Sequence, residues 1–385
     1  MLNQIEKTPL CKNRPNKMMR TTCTAFLSFL LFLPSVLLAQ QNLAELQLVS
    51  INPKPVIGKG YQGAEDNKFG FEGGTCAKVG GVYYLFTTEI FDVPKTAATR
   101  LAIWTSKNGS DFKRQGAIVE TNRDWDDTTH RMSPWSPMVV YDGDREVWSV
   151  FHVGYRRKAN STTVFNMSGK IFRYDSRVKG KKGIGGPYQE GGWVQMAGKP
   201  DWWEGPGEIL SFYPYRIGRE WWAIYGSNNV PQHVNSDGTG GHPAGASNIF
   251  YAGIAKAEKN LTSKWIRQPQ LNPLKINPVF IENSVVTQVA PDLYINLYDG
   301  GKANEIGYSC SRDGIHWGEE QLVKLKNAPA WLKYPRTPLC LINEGKGIYT
   351  IYSTAFDGHN PENVEPQWHQ GFGSVGRIQV RLKVL

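Results

Sequence analysis

The amino-acid sequence predicts an all-β fold, a five-bladed β-propeller. Three observations carry the prediction. Short aromatic and β-branched runs recur along the chain, they come in strand–turn–strand pairs, and no long stretch shows the 3.6-residue apolar period of a helix. The composition agrees, because 40 glycines, 23 prolines, 13 tryptophans, 17 tyrosines and 16 phenylalanines in 385 residues suit turn-rich β structure better than a helix bundle.

The pairs run in order along the chain. The first is Thr75 to Phe86, with Gly80-Gly81 at its turn. The second is Ser136 to Phe151, turning at Asp142-Gly143, and the third is Gly207 to Tyr225, turning near Gly218. The fourth is Ser284 to Tyr298 and the fifth Thr337 to Tyr352, the latter turning at Glu344-Gly345. Units one and four extend into a further hairpin of similar pattern, Ile103 to Gly116 and Gly307 to Glu320, built on Asn-Gly and Asp-Gly. A unit of about four strands repeated five times is the mark of a propeller. The early Leu43 to Ile51 and the final Arg377 to Leu385 are expected to help close the ring.

The N-terminal segment reads differently. Lys7, Lys12, Arg14, Lys17 and Arg20 precede the apolar stretch Ala25 to Leu38, which ends at Ala39-Gln40. That pattern predicts a secretory signal over residues 1–39 and a single propeller domain over 40–385. The stretch is short for a membrane span and contains Pro34, so no stable membrane insertion is expected after cleavage, and the product is expected in the periplasm or outside the cell. Without its five basic residues and Glu6, the remaining chain has a net charge of +6. The basic residues are scattered, so no nucleic-acid partner is expected. Cys76, Cys340 and Cys310 fit no zinc spacing, and the seven histidines are dispersed, so neither metal nor cofactor is expected.

Chemistry is expected where the innermost strand of each unit begins. Unit one has Glu72 there, unit three Glu204 and unit four Glu282, while units two and five offer Arg131 and Arg336. If the repeat register holds, three carboxylates and two guanidiniums meet in one cavity. Like charges raise one another's pKa and arginines lower it, which is how a site keeps one carboxyl protonated and another ionised. Cleavage of a glycosidic bond needs such a pair. Trp135 and Trp203 flank these positions and could offer indole faces to a sugar ring. His130 and His242 are further candidates for binding a hydroxyl or a carboxylate. Glu208 lies inside the strand run and is expected to play a supporting role.

The motifs carry a resemblance. Trp203-Glu204-Gly205-Pro206 resembles the Glu-Gly-Pro element of five-bladed propeller glycosidases such as glycoside hydrolase family 43. Trp135-Ser136-Pro137 is similar to the Trp-Ala-Pro that begins their second blade, and Ser311 to Trp317 to one of their outer hairpins. The resemblance implies that Glu204 is the general acid, with Glu282 or Glu72 as nucleophile or base. Glu72 stands where that family has an aspartate. The use of glutamates resembles family 137, and a histidine acid would resemble family 117. The implied function is an exported, exo-acting glycoside hydrolase that removes a terminal sugar, an arabinofuranosyl or related residue, from a plant or algal oligosaccharide or polysaccharide. Two other readings stand beside it: a non-catalytic glycan-binding propeller, and a uronate-directed polysaccharide lyase with a histidine base.

Overall fold

The computed structural model describes residues 42–385 apart from 93–96, 125–128, 158–166, 205–208, 229–232, 235–239, 242–249, 278–279 and 359–370. The expected signal segment, His242 and Glu208 lie outside the described residues. As expected, the described chain is all-β, with only short 3₁₀ turns besides strands.

The strands are β1 (Ala44–Ile51), β2 (Gly70–Val79), β3 (Val82–Asp92), β4 (Ala98–Ser106), β5 (Lys113–Glu120), β6 (Ser133–Asp142), β7 (Val147–Arg157), β8 (Met167–Ser176), β9 (Tyr188–Trp193), β10 (Met196–Ala197), β11 (Ser211–Ile217) and β12 (Glu220–Asn228). They continue as β13 (His233–Val234), β14 (Gly240–Gly241), β15 (Phe250–Ala257), β16 (Trp265–Arg267), β17 (Glu282–Ala290), β18 (Leu293–Gly301), β19 (Asn304–Ser311), β20 (Gln321–Leu322), β21 (Tyr334–Pro338), β22 (Ile342–Gly345), β23 (Ile348–Phe356) and β24 (Gly373–Val384).

Sequential antiparallel pairing generates most of the architecture. One sheet runs β6-β7-β8-β9, another β17-β18-β19-β20, and a third β11-β12-β15-β16, with β10 added in parallel on β16. The runs β2-β3-β4-β5 and β21-β23-β24-β1 count as one nine-stranded sheet with β22, but a single parallel pair, Gly70 with Gly373, joins them. The short pair β13-β14 stands apart. Each predicted strand–turn–strand pair is present, and in the first a two-residue turn at Gly80-Gly81 links the partners Val79 and Val82. Both glycines have positive φ, as a two-residue hairpin of this kind requires.

The first strands of these runs also touch in sequence: β2 meets β6, β6 meets β11, β11 meets β17, β17 meets β21, and β21 meets β2. Aromatic side chains bridge the joins. Phe86 meets Tyr188 edge-on at 6.2 Å, and Phe151 meets Phe212 at 5.5 Å. The Tyr215 hydroxyl donates to the Gly314 carbonyl at 2.7 Å, the Leu46 N–H donates to the Tyr308 hydroxyl at 3.2 Å, and the Tyr352 hydroxyl donates to the Gly109 carbonyl at 2.6 Å. A large ring with a polar tip suits such joins, since its body is buried while its hydroxyl satisfies a backbone group in the neighbouring sheet.

The Gly70–Gly373 join has no room for a side chain. Gly70 has φ +98, and a Cβ there would lie 2.2 Å from the Gly373 carbonyl oxygen. Gly70→Ala is therefore expected to cost at least about 2 kcal/mol. Thermal and urea unfolding monitored by circular dichroism would read this as a lowered midpoint, and an unchanged midpoint would show that the join does not constrain the fold.

Candidate active site

Four of the first strands are bulged at their opening residues. The irregularities fall between Glu72 and Gly74 in β2, Trp135 and Met138 in β6, Glu282 and Val285 in β17, and Pro335 and Pro338 in β21. In three of them the residue after the one that opens the bulge has a left-handed backbone: Gly73 at φ +66, Ser136 at +49 and Asn283 at +56. A bulge bends the strand and re-aims a side chain. Glycine and asparagine take this conformation readily, whereas serine takes it at some cost. Neighbouring strands hold the kinks in place. The Ser136 N–H donates to the Thr88 hydroxyl at 2.8 Å, and the Asn283 amide donates to the Thr337 hydroxyl at 3.0 Å.

These kinks bring carboxylates from three strands onto one guanidinium. Arg336 Nε donates to Glu72 Oε1 at 3.0 Å, Nη2 donates to Glu282 Oε2 at 2.7 Å, and Nη1 donates to Asp299 Oδ2. Glu282 and Asp299 are direct cross-strand partners on β17 and β18. Like charges opposed in this way repel, and Arg336 is the countercharge that makes the pairing tolerable. Phe280 packs against the guanidinium at 5.9 Å. The side chains of Glu72 and Glu282 are each 12% exposed, while that of Asp299 is fully buried. Glu72 and Glu282 therefore keep a small part of their side chains exposed, and Asp299 keeps none.

The electrostatics follow from that burial. Three ionised carboxylates against one guanidinium would leave a net double negative charge in a poorly solvated place. Burial pushes Asp299 up to about 7; Arg336 pulls it down, and Glu282 and Glu72 push it further up. Burial also raises Glu72 above the ordinary carboxylate range, opposed by Arg336 and reinforced by Glu282. Burial alone would weaken the charge on Arg336, but Glu282, Asp299 and Glu72 outweigh it and hold the guanidinium protonated. Among the described residues no group of three or more His, Cys, Asp or Glu side chains is arranged to hold a metal ion.

Glu72, Glu282 and Arg336 thus come together at one place. The expectation that Glu204 occupies the equivalent place in unit three is corrected. Glu204 ends a 3₁₀ turn, Trp202–Glu204, seven residues before β11 opens at Ser211. Its carboxylate is buried and turned onto its own sheet, where Arg267 Nε donates to both oxygens at 3.0 and 2.9 Å. The Tyr225 hydroxyl donates to it at 3.2 Å and the Asp201 N–H at 3.3 Å. A separate cavity of about 200 Å³, lined by Lys199, Asp201, Glu204, Arg267 and Asn272 among others, lies beside this pair.

The expected stacking role of Trp203 is corrected too. Trp203 is fully buried, its ring centroid 5.3 Å from that of Tyr225, and Gly253 is the small residue that leaves room for the indole. Its neighbour Trp202 is the exposed one of the two. Trp135 is buried, edge-on to Tyr155 at 6.4 Å. Arg131 is not part of the Arg336 cluster; it is exposed, pairs with Glu190 at 2.7 Å and packs on Phe172. His130 is half-buried, with Nε2 3.3 Å from the Ser168 hydroxyl.

Asp299 was missed by sequence reasoning. It closes the aromatic run Leu293 to Tyr298 and reads there as a strand end. Counting back across the Pro291-Asp292 turn places it near Glu282, and that count is the signal that could have found it.

Comparison with known proteins bears on the fold. No family model and no curated protein matches the chain. Solved structures do match over most of its length. The complex of BT0996 with RGII superposes with a TM-score of 0.62 at 12% identity, covering 86% of this chain and 92% of that one. Zg3597, a family 117 glycoside hydrolase produced by the marine bacterium Zobellia galactanivorans, gives a TM-score of 0.57 at 12% identity, covering 88% and 92%. The GH43_1 enzyme from Xanthomonas citri complexed with xylotriose gives 0.52 at 12% identity, covering 86% and 92%. The chain therefore shares its fold with glycoside hydrolases, including members of the families that its motifs resemble.

The raised pKa of Asp299 gives a stability prediction with a definite sign. A carboxyl whose folded pKa is raised contributes stability that is complete below its unfolded pKa and is lost as pH rises through the folded value. For Asp299 the loss runs from about pH 4 to about pH 7. Asp299→Asn removes this titration. Between pH 4 and pH 8 the wild type is expected to lose stability relative to the variant, by an amount on the order of 4 kcal/mol. Urea unfolding of both proteins across that range measures it, and parallel stability–pH curves would exclude a buried proton on Asp299.

Proposed function

We propose that the chain is an exported, exo-acting glycoside hydrolase with a five-bladed propeller fold, and that its active site is the Arg336 cluster. The five runs that open with β2, β6, β11, β17 and β21 are the blades, and the nine-stranded sheet is two blades bridged at Gly70 and Gly373. One observation carries the functional reading: Glu72 and Glu282 come from different strands, share one guanidinium, and each keeps part of its side chain in the open.

In this reading Glu72 holds the proton and is the general acid. Burial and the nearby Glu282 favour its protonated form. Glu282, which accepts a hydrogen bond from Arg336 Nη2, is the partner that activates water or attacks C1. Asp299 lies underneath and tunes the pair through Arg336. Glu204 fastens the 3₁₀ turn to β16 rather than donating a proton. The substrate is an oligosaccharide or polysaccharide of plant or algal origin, from which a terminal arabinofuranosyl or related sugar is removed. The shared fold with the BT0996 complex and with the family 117 enzyme supports this choice of class. Residues 1–39 serve as the export signal.

A screen of defined oligosaccharides, with products separated by chromatography, identifies the substrate. On that substrate Glu72→Gln and Glu282→Gln are each expected to lower kcat by about 10²-fold or more. Glu204→Gln is expected to keep kcat within a few-fold while lowering the unfolding midpoint, because it weakens a buried ion pair. Wild-type turnover by both cluster variants would refute the assignment, as would a loss of turnover confined to Glu204→Gln.

A further inference from the structure

The described cysteines are Cys76, Cys340 and Cys310, all buried and present as free thiols. Cys310 stands alone, its sulfur facing the Ala44 carbonyl. The other two meet. Cys76 lies in β2 opposite Leu85, and Cys340 lies between β21 and β22. The Cys76 N–H donates to the Leu339 carbonyl at 3.0 Å, so the two backbone segments run side by side. Both side chains lie inside one apolar cluster with Leu85, Leu339 and Tyr352, where the Cys340 thiol donates to the Thr350 carbonyl at 3.8 Å. Adjacent backbones that bring two cysteine side chains into one cluster are the starting arrangement for a disulfide, which a rotation of the Cys340 side chain away from Thr350 would complete.

We propose that Cys76 and Cys340 form a disulfide that fastens the first run of strands to the last. The proposal rests on the export reading, because a disulfide persists in an oxidising compartment. One thiolate attacks a disulfide-bearing oxidant, a thiol–disulfide oxidoreductase or oxidised glutathione, and expels one of its sulfurs as a thiolate. The second cysteine attacks the resulting mixed disulfide and expels the other. Two cysteine thiols thereby lose two protons and two electrons, and the oxidant becomes a dithiol or two thiols. Burial pushes the Cys76 thiol up, so in the folded protein Cys76 is poor in thiolate and the bond forms during folding, before the cluster closes.

The position gives the bond its purpose. The two cysteines are 264 residues apart in sequence (340 minus 76), and cross-links that close long loops restrict the unfolded chain most. Strand pairing at this seam is thin, since Gly70 with Gly373 is the single pair between β2 and β24. Cys310 remains a thiol, which accounts for the odd cysteine in the described part of the chain.

The test uses the purified chain, unfolded and refolded in a glutathione buffer of oxidising poise, then denatured with iodoacetamide before and after reduction. The expected result is that Cys76 and Cys340 resist alkylation until reduced, that Cys310 is alkylated throughout, and that digestion yields one cross-linked peptide containing Cys76 and Cys340. Reduction is expected to lower the unfolding midpoint of the wild type and of Cys310→Ser, but not that of Cys76→Ser or Cys340→Ser. Alkylation of all three thiols without reduction, or a bridge that includes Cys310, overturns the proposal. The readout is independent of glycosidase activity, and because the buffer sets the redox poise it is also independent of where the cell sends the protein.

Discussion

One guanidinium facing three carboxylates is the interaction on which the rest of the structure turns. Arg336 reaches Glu72 on β2, Glu282 on β17 and Asp299 on β18, so it ties the strands of unit four to those of units one and five. Such an arrangement is not a simple source of stability, because removing charges from water costs several kcal/mol per ion and one cation cannot neutralise three anions. The cluster is tolerable because it holds protons. Asp299, the deepest member, titrates at about 7, and Glu72 is also raised. A site that retains protons on carboxyls near neutral pH is prepared for acid–base chemistry. The constraint that makes the cluster expensive is thus the one that makes it useful.

The bulges show how the backbone serves that constraint. Regular strands would alternate their side chains between the two faces of each sheet. The kinks at Gly73, Ser136 and Asn283 break the alternation where each strand opens, and they recur at matching places in separate sheets. Backbone strain of this kind persists where the surroundings over-determine it, and it concentrates at functional sites. Other ladders are bulged as well, between Leu48 and Ser50 in β1 and between Ile90 and Asp92 in β3 among others, and the joins between sheets are filled by aromatic side chains.

The repeat made much of this legible in the sequence. Glu72, Glu282 and Arg336 could be aligned because each stands a similar distance before a glycine- or proline-marked turn, and the structure brings them together. Glu204 was misaligned for a physical reason. Its motif, Trp-Glu-Gly-Pro, reads as the entry to a strand, but the chain first makes a 3₁₀ turn, and the ladder begins only after Ile209. The adjacent tryptophans were ambiguous in the same way: one indole is buried over Gly253 and the other faces solvent, and no local pattern distinguishes them. Asp299 was hidden because its importance comes from its cross-strand partner, and cross-strand register depends on bulges that the sequence signals only weakly.

The central claim is that a sugar is held and cleaved at the Arg336 cluster rather than beside Glu204. The most direct measurement is a crystal structure of the protein with an oligosaccharide soaked into a Glu72→Gln crystal. The account predicts a terminal ring seated against Glu282 and the substituted residue 72, within hydrogen-bonding distance of both. A ring seated instead in the cavity formed by Lys199, Glu204, Arg267 and Asn272 would contradict it.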